Sequence, residues 1–323
     1  MFKKLYLPGG IILAVILSFL YPEPGTWFKA LRAGSWLTMN NLLIVIIFLV
    51  CGWNVDVSSV KFDRKFVLLF ISGAIFSLLI SPLLEWATTK AFCMTVLPAT
   101  GLIVAAAMPP TLSSGIVLTE TANGSTLLAI LMTVGYNLLS VITIPLMLAL
   151  CVTASGDVDT NPLRMFIQLV ALVLLPSIIG FVLKKVTKRK LPKIAGYAPS
   201  TAVILLVWGF FSASSAEFKQ HSPMALLQEG ASALVLHGIL LAVMWYGGRL
   251  FKCGTAERKA LLFTGGSKTI TIAITMLNII GAGTGAAMVP CLVYYFVQSL
   301  VDSALAGKMG LSALKEGEEK AAS

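Results

Sequence analysis

Ten apolar runs constrain this chain more than any other feature of its sequence. A transmembrane helix needs about 20 consecutive apolar residues, and fewer where it is short or broken. Mean hydropathy is +0.90 and 12% of the residues are charged, whereas a soluble domain is about a quarter charged. The sequence therefore predicts an all-α, polytopic membrane protein. The predicted spans are residues 7–22, 36–54, 66–86, 96–119, 125–152, 165–185, 197–215, 231–251, 258–281 and 285–307.

The N-terminal stretch MFKKLYLPGGIILAVILSFLYPEPG permits two interpretations, a signal peptide or a short first span. No small-residue cleavage site follows it cleanly, which favours the span. We therefore predict two five-helix repeats, residues 1–155 and 156–311, the second entering the membrane from the opposite side. Residues 312–323 are predicted to form a disordered cytoplasmic tail, because they are rich in charge.

The distribution of lysine and arginine predicts that both termini lie in the cytoplasm. Of the 24 basic residues, 18 fall in segments that this topology places inside and five in segments that it places outside. Basic residues favour cytoplasmic loops, and such loops facing anionic lipid explain the net charge of +10 without a nucleic-acid partner. The predicted location is the cell (inner) membrane. The inside set is Lys3, Lys4, Lys61, Arg64, Lys65, Lys184, Lys185, Lys188, Arg189, Lys190, Lys193, Arg249, Lys252, Arg258, Lys259, Lys308, Lys315 and Lys320; the outside set is Lys29, Arg32, Lys90, Arg164 and Lys219.

Two of the predicted spans are interrupted, and they are the fourth span of each half. The fourth span contains MPPTLSSG (residues 108–115) and the ninth contains TGGSKT (residues 264–269). Interruptions at matching places in two halves indicate a transporter binding site, because an unwound segment must face protein or a water-filled cavity. Ordinary kinks are the alternative, but both segments are rich in hydroxyls. The predicted ion- and substrate-binding residues are Pro109, Pro110, Thr111, Ser113, Ser114, Gly115, Thr133, Thr264, Gly265, Gly266, Ser267, Lys268 and Thr269.

Lys268 is the basic residue that lies inside a span. It is about ten residues from the start of the ninth span, roughly 15 Å deep at 1.5 Å per residue, where a charge costs roughly 3 kcal/mol. A phosphate-binding loop would need glycine directly before the lysine, and Ser267 stands there. A lysine that snorkels to the membrane surface is the alternative; we interpret Lys268 as a positive charge placed where the two interrupted helices meet.

Enzymatic chemistry is not predicted. The five cysteines are scattered singly, and His221 and His237 have no neighbouring residues at metal-ligand spacing. No paired catalytic acids and no nucleophile with a base appear in the sequence. No cofactor is predicted other than a sodium ion.

At its two interruptions the chain resembles the bile acid:sodium symporter superfamily, and more closely its divergent, solute carrier 10-like branch of bile-acid-symporter-like proteins. The resemblance is carried by MPPTLSSGIVLTETANGS (residues 108–125) and FTGGSKTITIAITML (residues 263–277), and more weakly by LVYYFVQSLVDSALAG (residues 292–307). It implies two inverted five-helix repeats. Spans three to five and eight to ten would form a core, and spans one, two, six and seven a panel. It also implies uptake of an organic anion coupled to two sodium ions, with substrate between core and panel.

The resemblance transfers to the sodium-binding positions only in part. Ser113 and Ser114 stand where the symporters carry a Ser-Asn pair, and Thr133 matches a threonine of helix five. In the ninth span Thr264 replaces a glutamate shared by both sodium ions, and Lys268 replaces a glutamine of the second sodium site. Ser113, Ser114, Thr133 and Thr264 are therefore the predicted sodium ligands, and an ammonium takes the place of the second ion.

The predicted function is a secondary-active transporter that carries a small organic anion by cation-coupled symport, driven by sodium or protons, in alternating access. A membrane sensor or regulatory partner built on the same fold is the alternative. Two further polar residues are open to interpretation. Asp302 pairs with Lys268 or faces solvent near the membrane edge, and Asn137 forms a hydrogen bond between helices.

Overall fold

The structure is a computed structural model that describes residues 2–34, 37–54, 64–111, 114–155, 160–189, 191–192, 194–283 and 285–322. Residues 2–5, 8, 65, 155, 285 and 313–322 are described by their backbone alone. The helices of the first half are α1 (Phe2–Leu20), α2 (Pro22–Ala30), α3 (Met39–Asn54), α4 (Arg64–Ala74), α5 (Ser81–Ala91), α6 (Val96–Ala107), α7 (Ser114–Thr121) and α8 (Thr126–Cys151). Those of the second half are α9 (Pro162–Leu169), α10 (Leu175–Thr187), α11 (Ala198–Ala213), α12 (Ser215–Gln220), α13 (Pro223–Leu250), α14 (Thr255–Gly266), α15 (Ile270–Ile279) and α16 (Gly285–Ala322).

The described chain is helical except for loops and one short antiparallel pair of strands, β1 (Arg32–Ala33) and β2 (Leu37–Thr38). Among the described residues, seven helical stretches are long and apolar enough to cross a membrane, and an eighth is the pair α1–α2, which bends by 105°. Two shorter apolar helices, α3 and α6, complete the series. The chain is thus a polytopic helical membrane protein, while the count of ten spans and the disorder of residues 312–323 stay predictions.

Side-chain caps set the starts of α8, α9 and α13. Ser125, Asn161 and Ser222 each accept a hydrogen bond from the backbone N–H three residues further on. Such caps satisfy donors that the first turn of a helix leaves free. Proline follows directly after Asn161 and Ser222, where its missing N–H costs nothing.

A π-helical turn, Ile75–Ile80, joins α4 to α5 and frees one backbone carbonyl. The N–H of Ser81 donates to the carbonyl of Phe76 across this turn, five residues back. The carbonyl of Ser77 would need the next N–H along, which belongs to Pro82, and proline has none. The Ser77 carbonyl is therefore free to accept a hydrogen bond from another helix. Turns of π-helix are frequent at functional sites.

The helices pack in two groups. In one group α11 packs against α1, α2 and α3, and α3 against α10; in the other α13 packs against α14, α16 and α5, and α16 against α6. Glycines bring α3 and α10 into backbone contact. A Cβ atom at Gly52 would lie 2.0 Å from the carbonyl oxygen of Ser177, and one at Gly180 would lie 2.0 Å from that of Leu49. Small residues at such crossings are typical of membrane helices.

The interrupted helices lie in the interior of the second group. The stretch Thr255–Ile279 is 94% buried over its most apolar window, against 28–50% for the other six single helical stretches. Residues 101–111 are all buried as well. Neither interruption therefore exposes unpaired backbone to lipid, which membrane-spanning structure does not tolerate.

Candidate functional site

The interruption of the fourth span lies between α6 and α7, where two consecutive prolines lack N–H donors. Both proline carbonyls find donors outside their own helix. The carbonyl of Pro109 accepts from the backbone N–H of Thr269 at 2.9 Å, and that of Pro110 accepts from Nδ2 of Asn137 at 3.0 Å. Groups of the ninth and fifth predicted spans therefore satisfy both proline carbonyls of this interruption.

Hydroxyls form the start of α7. The Thr111 and Ser114 hydroxyls are hydrogen-bonded to each other, and the N–H of Gly115 donates to Oγ1 of Thr111 at 3.2 Å. Thr111 therefore caps the helix that begins at Ser114. Ser113 lies outside the described residues, so its predicted role as a sodium ligand stays a prediction.

The interruption of the ninth span lies between α14 and α15, and Gln298 of α16 closes its backbone. Ser267 and Thr269 are extended, with φ/ψ of −80°/154° and −90°/130°. The N–H of Lys268 donates to Oε1 of Gln298 at 2.7 Å, and Nε2 of Gln298 donates back to the Lys268 carbonyl at 3.0 Å. A single carboxamide thus satisfies both backbone groups of Lys268. Gln298 was not among the predicted site residues.

The two interruptions are in direct contact. Besides the hydrogen bond from Thr269 to Pro109, Gly115 lies against the end of α14. A Cβ atom at Gly115 would be 3.1 Å from the Phe263 carbonyl oxygen, 3.4 Å from Oγ of Ser267 and 3.6 Å from Cα of Thr264. Glycine at position 115 therefore permits the close crossing of α7 and α14.

Gly265 and Gly266 serve packing rather than an unwound backbone, because both belong to α14. A Cβ atom at Gly265 would lie 2.6 Å from Sδ of Met244, and one at Gly266 would lie 3.0 Å from Cδ2 of Leu241. The two glycines let α14 approach α13, and the interruption itself is confined to residues 267–269.

Four buried oxygens around the crossing have no hydrogen-bond partner among the described residues. They are Oγ1 of Thr133, Oδ1 of Asn137, Oγ1 of Thr264 and Oγ of Ser267. The first two lie four residues apart on α8 and so share one helix face. Thr264 belongs to α14, which packs against α8, and Ser267 directly follows the end of α14. Neutral hydroxyl and amide oxygens of this kind suit a monovalent cation.

The ammonium of Lys268 points to the π-helical turn of the third predicted span. Nζ donates to the freed Ser77 carbonyl and to Oγ of Ser77 at 3.2 Å, and Lys268 is 2% exposed. The Lys268 backbone therefore belongs to the crossing, whereas its charge lies on span three. The sequence signal for this acceptor is the proline five residues after position 77, because proline has no N–H to donate to the carbonyl of that residue.

A cavity of about 30 Å³ lies beside the crossing. Thr111, Ser114, Asn137, Thr269 and Tyr295 line one side of it. The other side comes from α1, α3 and α11, through Leu7, Ile47, Phe48, Pro199 and Val203. This volume holds a water molecule or a bare cation, and an organic anion needs more space.

The structure corrects two interpretations of single polar residues. Asp302 neither pairs with Lys268 nor faces solvent, since it is 1% exposed and its Oδ1 lies 2.9 Å from Nε2 of His237. Asn137 bonds to the interruption itself rather than only between regular helices. Its place four residues after Thr133, on the same helix face, could have marked it as a site residue.

We expect Gln298→Ala to lower the free energy of unfolding by about 1–3 kcal/mol, since it leaves the buried N–H and C=O of Lys268 unpaired. The measurement is thermal unfolding of the purified protein in detergent. Gln228→Ala, at an exposed position of α13, is the matched control. Equal unfolding temperatures for the two variants would show that the Gln298 hydrogen bonds contribute nothing.

Comparison with known families bears on this geometry. A model of the SBF-like CPA transporter family matches residues 6–310. The chain belongs to this family. The resemblance to the bile acid:sodium symporter superfamily is confirmed, and the members are transporters, not enzymes.

Relatives of this SBF-like chain include sodium cotransporters from plants and animals. It is 24% identical to sodium/bile acid cotransporter 7 of Danio rerio, over 92% of this chain and 90% of the relative, and 24% identical to that of Mus musculus, over 94% and 92%. It is 27% identical to the probable chloroplastic sodium/metabolite cotransporter BASS4 of Oryza sativa subsp. japonica, over 63% of this chain. The chain spans about half the length of the plant relatives, 53% of that rice protein.

Proposed function

We propose that this protein is a secondary-active transporter that carries a small organic anion across the membrane, coupled to a cation, by alternating access. The observation that carries the proposal is the contact between the two interruptions, made by the Thr269–Pro109 hydrogen bond. Interrupted helices that cross in this way concentrate freed carbonyls and helix ends inside the protein, where ions and anionic substrates bind in transporters. Relatives named as sodium cotransporters support the same function.

The cation site of this proposal uses Thr133 and Thr264, with Asn137 and Ser267 added by the geometry. All four side chains are at most 3% exposed and carry an oxygen without a partner among the described residues. Ser113 and Ser114 belong to the set predicted from the sequence. Because no carboxylate is among these residues, the site carries no formal negative charge, and a single monovalent ion suits it better than two.

Lys268 replaces a second cation in this proposal. Its ammonium binds a carbonyl and a hydroxyl of Ser77, two oxygen ligands of the kind that a sodium ion would use. The amine is tethered, so it stays with the protein as the substrate crosses the membrane. The transporter then needs fewer ions per substrate than a symporter that binds two.

The substrate binds between the two helix groups at the cavity lined by Thr111, Ser114 and Thr269 on one side and by α1, α3 and α11 on the other. The described state is too narrow there for an organic anion, so binding requires the groups to separate. We assign α1, α3, α10 and α11 to the panel and α5–α8 and α13–α16 to the core of two inverted repeats. Both termini lie in the cytoplasm, and the location is the cell membrane.

The test has two steps and uses the full chain. A thermal-shift screen of organic anions, including bile acids, is run in sodium chloride and in choline chloride. We expect stabilisation by some anions to be larger with sodium. Uptake of the best hit into proteoliposomes then follows, with a sodium gradient, a pH gradient or neither. Accumulation above the external concentration under a cation gradient supports symport, and binding without flux under every gradient would contradict transport.

A further inference from the structure

We propose that Glu85 is a buried proton-binding site between α5 and α13, separate from the crossing, and that its proton exchanges with the surface through Glu229 and His221. The ligand is a proton, and the site does not use Lys268 or the predicted sodium ligands. The inference goes beyond the proposed function and does not depend on it, because proton binding can be measured without a substrate.

Glu85 closes a ring of hydrogen-bonding oxygens with Ser232 and Thr88. Its Oε1 lies 2.9 Å from Oγ of Ser232, and its Oε2 lies 3.1 Å from Oγ1 of Thr88. The two hydroxyl oxygens lie 3.1 Å from each other, and Oγ1 of Thr88 is also 2.9 Å from the Glu85 carbonyl oxygen. Glu85 and Ser232 are each 0% exposed, while Thr88 is partly exposed.

Counting protons shows what the ring lacks. It contains four oxygen–oxygen contacts at 2.9–3.1 Å, but serine and threonine hydroxyls carry one proton each and an ionised carboxylate carries none. A protonated Glu85 supplies a third donor, so three of the four contacts become hydrogen bonds and the contact between Oε2 of Glu85 and Thr88 carries none. The ring then runs in one direction: the Glu85 O–H donates to Ser232, Ser232 donates to Thr88, and Thr88 donates back to the Glu85 carbonyl.

The charges around Glu85 favour the same protonation state. No lysine or arginine of the part of the chain that the structure describes lies within 4.0 Å of its carboxyl group. Burying a carboxylate without a cation beside it costs far more free energy than burying a neutral carboxyl group.

The other elements packed against α5 place no positive charge beside the carboxyl group of Glu85. Neither α6 nor the π-helical turn has an ionisable side chain, and Tyr136 of α8 donates its hydroxyl to the Phe70 carbonyl. Cys151 lies at the far end of α8. The ammonium of Lys268 is held at Ser77, eight residues before Glu85 on the same span and roughly 12 Å away at 1.5 Å per residue. On α13, His237 is already paired with Asp302.

A route to the surface begins at the N-terminal end of α13. Nε2 of His221 lies 2.8 Å from Oε1 of Glu229, and the His221 side chain is 14% exposed while that of Glu229 is 3% exposed. Glu229 lies three residues before Ser232, on the same face of α13. Its Oε2 is buried without a partner among the described residues. The proposed route for the proton runs along this face of α13, from solvent to His221, to Glu229, and then across one helical turn to the Glu85 ring.

The test is infrared difference spectroscopy of the full-length protein reconstituted in liposomes at pH 7. We expect a C=O stretching band of an un-ionised carboxyl group in the wild type and in the matched control Glu23→Gln, which changes an exposed glutamate. Glu85→Gln should lose the band while unfolding normally, because a carboxamide can still donate to Ser232. Identical carboxyl bands in wild type and Glu85→Gln would overturn the proposal, as would loss of the band in Asp302→Asn alone.

Exchange into D₂O tests the route. After transfer to D₂O, we expect the Glu85 band to shift at least tenfold more slowly in Glu229→Gln than in the wild type. A factor of ten corresponds to about 1.4 kcal/mol. Glu23→Gln should exchange at the wild-type rate. Equal rates in wild type and Glu229→Gln would overturn the route through His221.

Discussion

Lys268→Ala is expected to reduce coupled uptake to the level of empty liposomes. The substitution removes the ammonium group that bonds to Ser77, and it leaves the carbonyl freed by Pro82 without this donor. It also removes the positive charge that the proposed mechanism uses in place of an ion. The measurement is uptake of the screened anion under sodium and pH gradients, with protein folding checked by thermal unfolding.

Lys268→Gln separates the charge from the hydrogen bonds. A carboxamide can still donate to Ser77 but carries no charge, so we expect uptake to survive and to need more sodium than the wild type. Lys259→Gln is a matched control, because Lys259 is a buried lysine of α14 outside the crossing, whose Nζ donates to the Ala122 carbonyl at 2.6 Å. Equal sodium dependence in the wild type and Lys268→Gln would show that Lys268 has no part in coupling.

Gly115→Val is expected to cut uptake by about 5- to 150-fold, which corresponds to a penalty of about 1–3 kcal/mol. A Cβ atom there would lie 3.1 Å from the Phe263 carbonyl oxygen, and two further methyl groups cannot fit without moving α7 away from α14. Overpacking of this kind typically costs about 1–3 kcal/mol. The measurement is the initial rate of uptake at equal protein content.

The control for the crossing is Gly307→Val, a glycine inside α16 whose Cβ would meet nothing within 4 Å. Both variants introduce a β-branched residue into a helix, so the difference between them reports the contact at Gly115. A loss of uptake in Gly307→Val as large as that in Gly115→Val would contradict the role of the close crossing.

The helical class and both interruptions could be predicted because lipid imposes a simple rule on sequence. Apolar length identifies spans, and proline pairs or glycines with hydroxyls mark where a helix stops. The eighth span was predicted as residues 231–251, and the helix that contains it, α13, already begins at Pro223. Gln228 and Glu229 lower the mean hydropathy of this stretch, so the sequence favoured a loop there. In the structure Glu229 is buried and paired with His221.

The sequence predicted which residues interrupt the two helices, but not which residues of other helices contact them. Pro109, Thr111 and Lys268 stand out because they break local rules in an apolar run. Their partners do not: Gln298 and Ser77 are ordinary polar residues of other spans, and their roles depend on how the helices pack. The pairing of Asp302 with His237 was missed for the same reason, since residues 65 positions apart meet only in the folded protein.

Counting bound sodium is the most direct test of the central claim, that a tethered lysine replaces one of two cations. Binding of ²²Na⁺ to the purified protein, measured by scintillation proximity, needs no substrate. We predict one sodium site in the wild type, a second site in Lys268→Gln, and weakened binding at the first site in Thr264→Val. Two sodium sites in the wild type, unchanged in Lys268→Gln, would contradict the account.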